Sequence, residues 1–478
     1  VKNKISLLIP TRNRYNNIVR LIKSVKETAN YFENIEILLY VDNDDTSTIN
    51  SIKQNRADLH GAKVYVGQQT TLGKAYNALC KNCIGDVIMS GADDIVFKTK
   101  NWDTILLDKY NSLDSKIALF AANDLYTDPN EFSTHPFLTR EAINCFGFFI
   151  PNEFDCNYAD RWWSDVFKGI DRYFTIPIII EHLHWLNGKA VRDNTYANGS
   201  ANMNRHSEQV FIRSHDQRTR LKEQLKFNIS QSQNIITLVL NTRAQPDNLN
   251  RGSISNFLDS LNQSIYCPNN IEVIFKIDTD DPDSLNELDS IIETKKYPFD
   301  VKYVNTDRVF YKGLHIGYKQ AFDIRNKNSK VVFAMADDFI FQRHTWDKKI
   351  LESIQNYNKD EIFILTDYIG EEGCNPVAPG WSSKMIELCD GFGPTFSTDW
   401  WTSCIAKKFL EKNFDIVIIY EPFLKRLTLD ELDGPKNIRW HTDRKEMIEY
   451  HRTEEYKEYL DKITDKLIKY HESTFNGK

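Results

Sequence analysis

The chain has 478 residues, of which 41% are hydrophobic, 12% aromatic and 27% charged, proportions of globular protein rather than of disorder, collagen or coiled coil. At roughly 100–200 residues per domain, this length predicts two or three domains. Sixty basic and 67 acidic residues leave a net charge of −7, which argues against nonspecific association with nucleic acid or acidic membrane, although a local basic groove fits within it.

No apolar run approaches the roughly 18–20 residues of a membrane helix: Phe146 to Ile150 stops at Pro151, and Ile178 to Ile180 lies between Pro177 and Glu181. The first residues lack a basic-then-apolar signal pattern, so a cytoplasmic protein with no membrane span is expected. The eight cysteines are irregularly spaced. Cys80 and Cys83 make one CxxC pair with no second pair at zinc-site spacing, so buried thiols are expected rather than a disulfide framework.

In chain order, Ile5 to Ile9 reads as a buried strand, Tyr15 to Ala29 as a helix and Ile35 to Val41 as the next strand. Asp86 to Met89 is a later strand, leading into Ala92-Asp93-Asp94 and then Trp102-Asp103. The order then returns. Ile5-Ser6-Leu7-Leu8-Ile9-Pro10-Thr11-Arg12 is echoed by Ile236-Thr237-Leu238-Val239-Leu240-Asn241-Thr242-Arg243. Asp42-Asn43-Asp44-Asp45 is echoed by Asp278-Thr279-Asp280-Asp281, Ala92-Asp93-Asp94 with Trp102-Asp103 by Ala336-Asp337-Asp338 with Trp346-Asp347, and Trp162-Trp163 by Trp400-Trp401. Four echoes in one order predict a duplication, with domains at 1–230 and 231–478 joined at the polar stretch Asn228 to Asn234. Short β-branched runs alternating with helical patterns predict α/β domains, each a mainly parallel sheet flanked by helices. At the end, Tyr456, Leu460, Ile463, Leu467 and Tyr470 recur at helical spacing, a stripe expected to pack on its own domain, with a homodimer contact as the alternative.

Open α/β sheets bind ligands outside the carboxyl ends of their strands, and the acidic motifs fall at such ends. Asp42, Asp44 and Asp45 follow one strand, and Asp93 and Asp94 another. Clustered carboxylates there need a cation or donor groups to answer their charge, and Mg2+ or Mn2+ suits oxygen ligands shared with substrate phosphates. Asp93 and Asp94 equally suit the start of a helix, as caps.

These residues resemble family-2-like glycosyltransferases of the GT-A fold. The match is carried by Pro10-Thr11-Arg12-Asn13, Asp42, Gly73-Lys74-Ala75 with Asn77, Ala92-Asp93-Asp94, Gly147, Tyr158-Ala159-Asp160-Arg161-Trp162 and His182-Leu183-His184, in that order. It covers most of 1–200 and, more weakly, 236–445. The resemblance implies two tandem GT-A-like, Rossmann-related domains, and transfer of a hexosyl group from a nucleotide-diphosphate donor such as a UDP-sugar to an acceptor hydroxyl, with inversion and a divalent metal. It puts Pro10, Thr11, Arg12, Asp42, Gly73 and Lys74 at the nucleotide, and Asp93, Asp94, His182 and His184 at the metal. Asp160 takes the place of the catalytic base, with Asp165 a nearby substitute. The acceptor (glycan, protein or modified nucleobase) is left open. Trp162, Trp163 and Trp185 offer apolar faces to a sugar, although at least one is expected in the core.

One departure matters. The family's acidic motif is Asp-x-Asp, but Gly91 holds the first position, and Met335 holds it in the second half. The second half keeps Thr242, Arg243, Asp278, Asp337, Asp338 and Asp399 but has Glu421-Pro422-Phe423-Leu424 against Glu181-His182-Leu183-His184; His441 is a candidate replacement ligand. Catalysis is therefore expected in the first domain. The competing reading is a non-catalytic sugar- or nucleotide-binding scaffold derived from such an enzyme.

Overall fold

Apolar residues from Ile5 onward make Ile5–Thr11 (β1) a strand buried on both faces, as the centre of a parallel sheet requires. The computed structural model describes residues 3–191, 201–242, 254–308, 314–336, 339–358, 360–366, 378–394, 398–412, 414, 416–420, 422–426 and 449–475. The chain divides into two units, 1–230 and 231–478.

In the first unit, β1 is joined by β2 (Ile35–Asp42), β3 (Lys63–Gly67), β4 (Val87–Ser90), β5 (Ile95–Phe97), β6 (Leu119–Asn123), β7 (Phe137–Thr139) and β8 (Tyr173–His182). They form one sheet of order β3-β2-β1-β4-β7-β6-β8-β5. β1 runs parallel to both β2 and β4, whereas β7 is antiparallel to β4 and β6. The order reverses between β1 and β4, the switch point where such sheets open a ligand crevice. Helices cover both faces. Ile18, Leu21, Ile22 and Val25 of the helix Tyr15–Thr28 pack on one side, and Trp162, Trp163, Val166 and Phe167 of the helix Ala159–Lys168 on the other.

The second unit has β9 (Ile235–Thr242), β10 (Ile271–Asp278), β11 (Asp300–Thr306), β12 (Ser329–Met335), β13 (Phe339–Phe341), β14 (Ile364–Thr366), β15 (Gly380–Ser382), β16 (Val417–Ile419) and β17 (Leu424–Arg426). Its sheet runs β11-β10-β9-β12-β15-β14-β16, with β13 and β17 paired separately. Strand for strand, this is the order of the first sheet, with the long β8 split into β16 and β17. Both units are thus α/β with a mainly parallel sheet between helices.

The echoed residues carry the same local structure. Ser6 Oγ donates to Glu36 at 2.5 Å, and Thr237 Oγ1 to Glu272 at 2.9 Å. Asp45 and Asp281 cap the helices that follow them, accepting from Thr48 and Ser284 N–H. Asp103 accepts from Asn30 and Tyr31 N–H, and Asp347 from Tyr266 and Cys267 N–H. Both carboxylates are buried, and such charge-assisted bonds contribute about 1.5–3 kcal/mol each. The Trp-Asp echo is therefore architectural.

One echo needs realigning. The Trp-Trp doublets suggest Trp162 against Trp400, but the helices Ala159–Lys168 and Thr398–Glu411 match one residue later. Asp160 and Asp399 are each the second residue and each accept at 2.9 Å from the next backbone N–H. Trp162 and Trp401 are both fully buried, whereas Trp400 is not and stacks on His451 with centroids 5.4 Å apart. In the final helix, Glu454–Phe475, Tyr456, Leu460 and Leu467 are buried in the second unit's own core. Among the described residues, no helix is long and apolar enough to cross a membrane.

Candidate active site

The ends of β1, β2 and β4 carry Asp42, Asp44, Asp93 and Asp94, and the chain answers much of their charge itself. Arg12 donates from Nη1 to Asp42 at 2.7 Å and to Asp44 at 2.6 Å, and from Nη2 to Asp44 at 2.7 Å. That pairing holds Asp44 below the usual carboxylate range. Thr11 Oγ1 donates to Asp93 at 2.7 Å, and Arg14 Nη1 lies 3.1 Å from Asp93 and 3.6 Å from Asp94 Oδ2. Burial, with the charge of Asp94, pushes Asp93 up against the pull of Arg14.

Neither Asp93 nor Asp94 caps a helix: Asp94 leads directly into β5. Ile95 pairs with His182 across β5 and β8, and Leu183 N–H donates to the Asp94 carbonyl at 2.8 Å. The backbone ladder therefore sets Asp94 beside His182, with Asp94 Oδ1 3.4 Å from His182 Nε2. A third group arrives from a segment that no sequence motif marks. His135 precedes β7, and Ser90 N–H at the end of β4 donates to the Pro136 carbonyl at 2.9 Å. One ligand atom from each of Asp94, His135 and His182 lies within 4.8 Å of the other two. Burial, with His182 alongside, pushes His135 down to about 4, so its ring is neutral at pH 7, the form that ligates metals.

Of the four residues expected at a metal, Asp94 and His182 stand together with His135, and the His184 ring lies 5.1 Å from that of His182. Asp93 is engaged by Thr11 and Arg14, and His184 turns to the Trp185–Asn187 turn, where its Nδ1 accepts the Leu186 N–H at 3.2 Å. The missing first acidic position has a steric counterpart. A Cβ on Gly91 would fall 2.4 Å from Ile9 Cδ1 and 3.3 Å from the Leu8 carbonyl, while the Gly91 carbonyl accepts from Tyr76 Oη at 2.7 Å.

These residues border a cavity of about 700 Å3 lined by Pro10, Asp94, His135, Asp160, His182 and His184, among others, within the range of small-molecule sites. Asp160 stands in the first turn of its helix, half-buried, and burial raises its carboxyl to about 6. Its lining neighbours Tyr126, Phe132 and Tyr158 supply aromatic surface, with Arg161 held over the Phe132 and Tyr158 rings. Trp162 and Trp163 do not: they are 0% and 1% exposed and belong to the core. Trp185 packs near His184. Nothing in the sequence pattern marked Tyr126 or Phe132, which sit in the turn-rich stretch between β6 and β7.

Asp165 lies on another side of the helix. It accepts from Arg218 at 2.7 Å and Lys222 at 2.9 Å; burial opposes its ionisation, but the two cations outweigh that and hold it low. Gly73 packs against a loop, since a Cβ there would fall 2.3 Å from the Pro151 carbonyl. Lys74 is exposed. Neither lines the cavity.

In the second unit, Thr242 is buried, and Asp278 accepts from Lys276, itself 2% exposed, which also donates to the Asp307 carbonyl at 2.9 Å. The residue matching Lys276 in the first unit is Tyr40, whose hydroxyl donates to Gln68 instead. Asp399 lies at a helix start near His451, whose ring burial drives down to about 4. Arg243, Asp337, Asp338 and His441 lie outside the described residues.

A sequence model of glycosyl transferase family 2 matches residues 6–167. No curated protein matches the chain. Similar solved structures include the mannosyltransferase PcManGT from Pyrobaculum calidifontis in complex with GDP-Man and Mn2+, at 12% identity over 38% of this chain and 58% of that one, with a TM-score of 0.30. TarS of S. aureus in complex with UDP is 13% identical over 36% of this chain and 57% of that one, with a TM-score of 0.30. Glucosyl-3-phosphoglycerate synthase from Mycobacterium tuberculosis, in complex with Mn2+, UDP and glucosyl-3-phosphoglycerate, is 14% identical over 43% and 77%, with a TM-score of 0.32. The chain spans less than two thirds of the length of the first two.

Proposed function

We propose that the first unit, whose residues 6–167 match a model of glycosyl transferase family 2, moves a hexosyl group from a nucleotide-diphosphate donor to an acceptor hydroxyl, with inversion. The observation that carries this reading is one cavity, at the switch point of the sheet, bordered by Asp94, His182 and Asp160 together.

The nucleotide lies along the ends of β1 and β2, where Pro10 borders the cavity and Asp42 with Arg12 offers a charged pair to base or ribose. Asp94 and His182 hold a divalent cation. Both ring nitrogens of His135 and Nδ1 of His182 are shielded from solvent without a well-formed hydrogen bond, and a carboxylate with two imidazoles is a donor set that Mn2+ accepts. When bound, the cation acts as a Lewis acid on the leaving diphosphate. Asp160 is the base: as the acceptor oxygen attacks the anomeric carbon, Asp160 takes its proton, and the departing diphosphate keeps the electron pair of the broken C–O bond. Tyr126, Phe132 and Tyr158 present flat apolar surface to sugar rings.

The second unit serves as a binding or supporting domain in this reading, because the buried Lys276 already neutralises Asp278. The test is product formation by the full chain over a panel of UDP- and GDP-sugars, with and without Mn2+. Turnover that requires the cation and is lost in Asp94→Ala and Asp160→Ala, both still folded, supports enzyme action. Donor binding without turnover over the whole panel identifies a scaffold instead.

A further inference from the structure

His135 is the residue that the family motif did not indicate and the proposed reaction does not require. We propose that Asp94, His135 and His182 form a complete three-ligand cation site built by the protein alone, which binds a first-row transition ion before any nucleotide arrives and prefers it to Mg2+. The role of that ion beside the diphosphate rests on the glycosyl transfer reading; the site itself does not.

Three observations support it. First, the ligands are held by backbone. Asp94 and His182 are set by the β5–β8 ladder, and His182 N–H also donates to the Asp124 carbonyl at 3.1 Å. The Asp124 carboxylate braces the segment leading to His135, accepting from Tyr126 N–H at 2.8 Å, Thr127 N–H at 2.6 Å and Thr134 Oγ1 at 2.7 Å. Outer contacts of this kind fix ligand orientation in metal sites.

Second, one ligand atom from each of Asp94, His135 and His182 lies within 4.8 Å of the other two. The His135 and His182 rings meet edge to face at 4.9 Å, with three of their four nitrogens lacking a well-formed bond. A buried polar group left unsatisfied costs about 1–3 kcal/mol, and a cation here offsets that cost for one His135 nitrogen. Arg14 stands on the Oδ2 side of Asp94, whereas Oδ1 faces His182 at 3.4 Å, close to the separation of two ligands on one ion at roughly 2.1 Å each.

Third, position 91 brings no carboxylate to the site. Gly91 has no side chain, and a Cβ there would meet Ile9 Cδ1 at 2.4 Å; His135 stands as the third ligand instead, entering beside the opposite neighbour of β4. Two imidazoles and one carboxylate suit Mn2+, Co2+ and Zn2+, whereas Mg2+ favours oxygen and retains its waters.

The experiment uses the full chain without nucleotide. Co2+ titration followed by its visible absorption, and Mn2+ titration followed by loss of the free-ion electron paramagnetic resonance signal, each report one site per chain. Expected are tighter binding of Co2+ than of Mn2+, no displacement of Mn2+ by a hundredfold excess of Mg2+, and at least tenfold weaker binding in His135→Ala with an unchanged circular dichroism spectrum. His135→Asn, which keeps a polar side chain but no imidazole, is expected to match the alanine variant. No cation bound without nucleotide, wild-type affinity in both His135 variants, or ready displacement by Mg2+ would each overturn the proposal. Donor turnover alongside any of these leaves glycosyl transfer standing, and cation binding without turnover does the reverse.

Discussion

Asp160→Asn separates the chemistry of the site from its stability. Burial raises the Asp160 carboxyl from 3.8 to about 6, so the folded chain holds its proton more tightly than the unfolded chain between those values. Stability is therefore lost as pH rises through that window, because the folded state must then carry a half-buried charge. About two units correspond to roughly 3 kcal/mol, a ceiling because the side chain partly faces the cavity. Asparagine does not titrate, and its Oδ1 can still accept the Arg161 N–H, so the helix start survives. At pH 7.5 the variant is expected to melt a few degrees above the wild type, and at pH 5 the gap should shrink to about half, as follows from the same linkage. Its kcat should fall by about 10²–10⁴, the usual worth of a general base, and wild-type activity should decline below about pH 6. Calorimetry at the two pH values and initial rates over pH 5–8 read all of this. A variant that is less stable at pH 7.5 and keeps full activity refutes the reasoning.

Asp165→Asn should lower stability by about 1–3 kcal/mol in urea while leaving kcat unchanged. It leaves Arg218, 5% exposed at its side chain, without its carboxylate, a loss tempered by the exposure of Asp165 and by Arg218's bonds to Phe211 and Ser214. Trp163→Ala removes a side chain packed against Phe146 and Trp162 at 5.2 and 4.7 Å; a cost of about 3–5 kcal/mol in denaturant titration is expected, with KM of the folded fraction unaltered. Gly91→Asp, which recreates the Asp-x-Asp spacing, should destabilise by about 1–3 kcal/mol through overpacking against Ile9 and should not tighten Mn2+ binding by calorimetry.

The sheet was legible because its strands alternate with helical periodicity, and because carboxylates at strand ends mark the rim of an open α/β sheet. The echo of Trp102-Asp103 in Trp346-Asp347 was equally visible, but its use was not: a buried carboxylate binding two backbone N–H groups leaves the same trace as a ligand. The same ambiguity explains Asp93, which Thr11 and Arg14 engage, and His184, which caps a turn. His135 was illegible for the opposite reason. It stands alone in a turn-rich segment, and only the antiparallel entry of β7 beside β4 carries it to Asp94. The slip in the tryptophan echo arose because identity of residue type outweighed helix register; the burial of Trp401 rather than Trp400 restores it.

In the proposed reaction the cavity at the ends of β1 and β4 holds the donor through a cation on Asp94 and His182. Crystals grown with UDP and Mn2+, measured at the manganese absorption edge, test it directly. One anomalous peak is expected in the first unit, within bonding distance of Asp94, His135 and His182 and of the diphosphate. A nucleotide bound elsewhere, or a peak on Asp93 with Asp94 turned away, contradicts it.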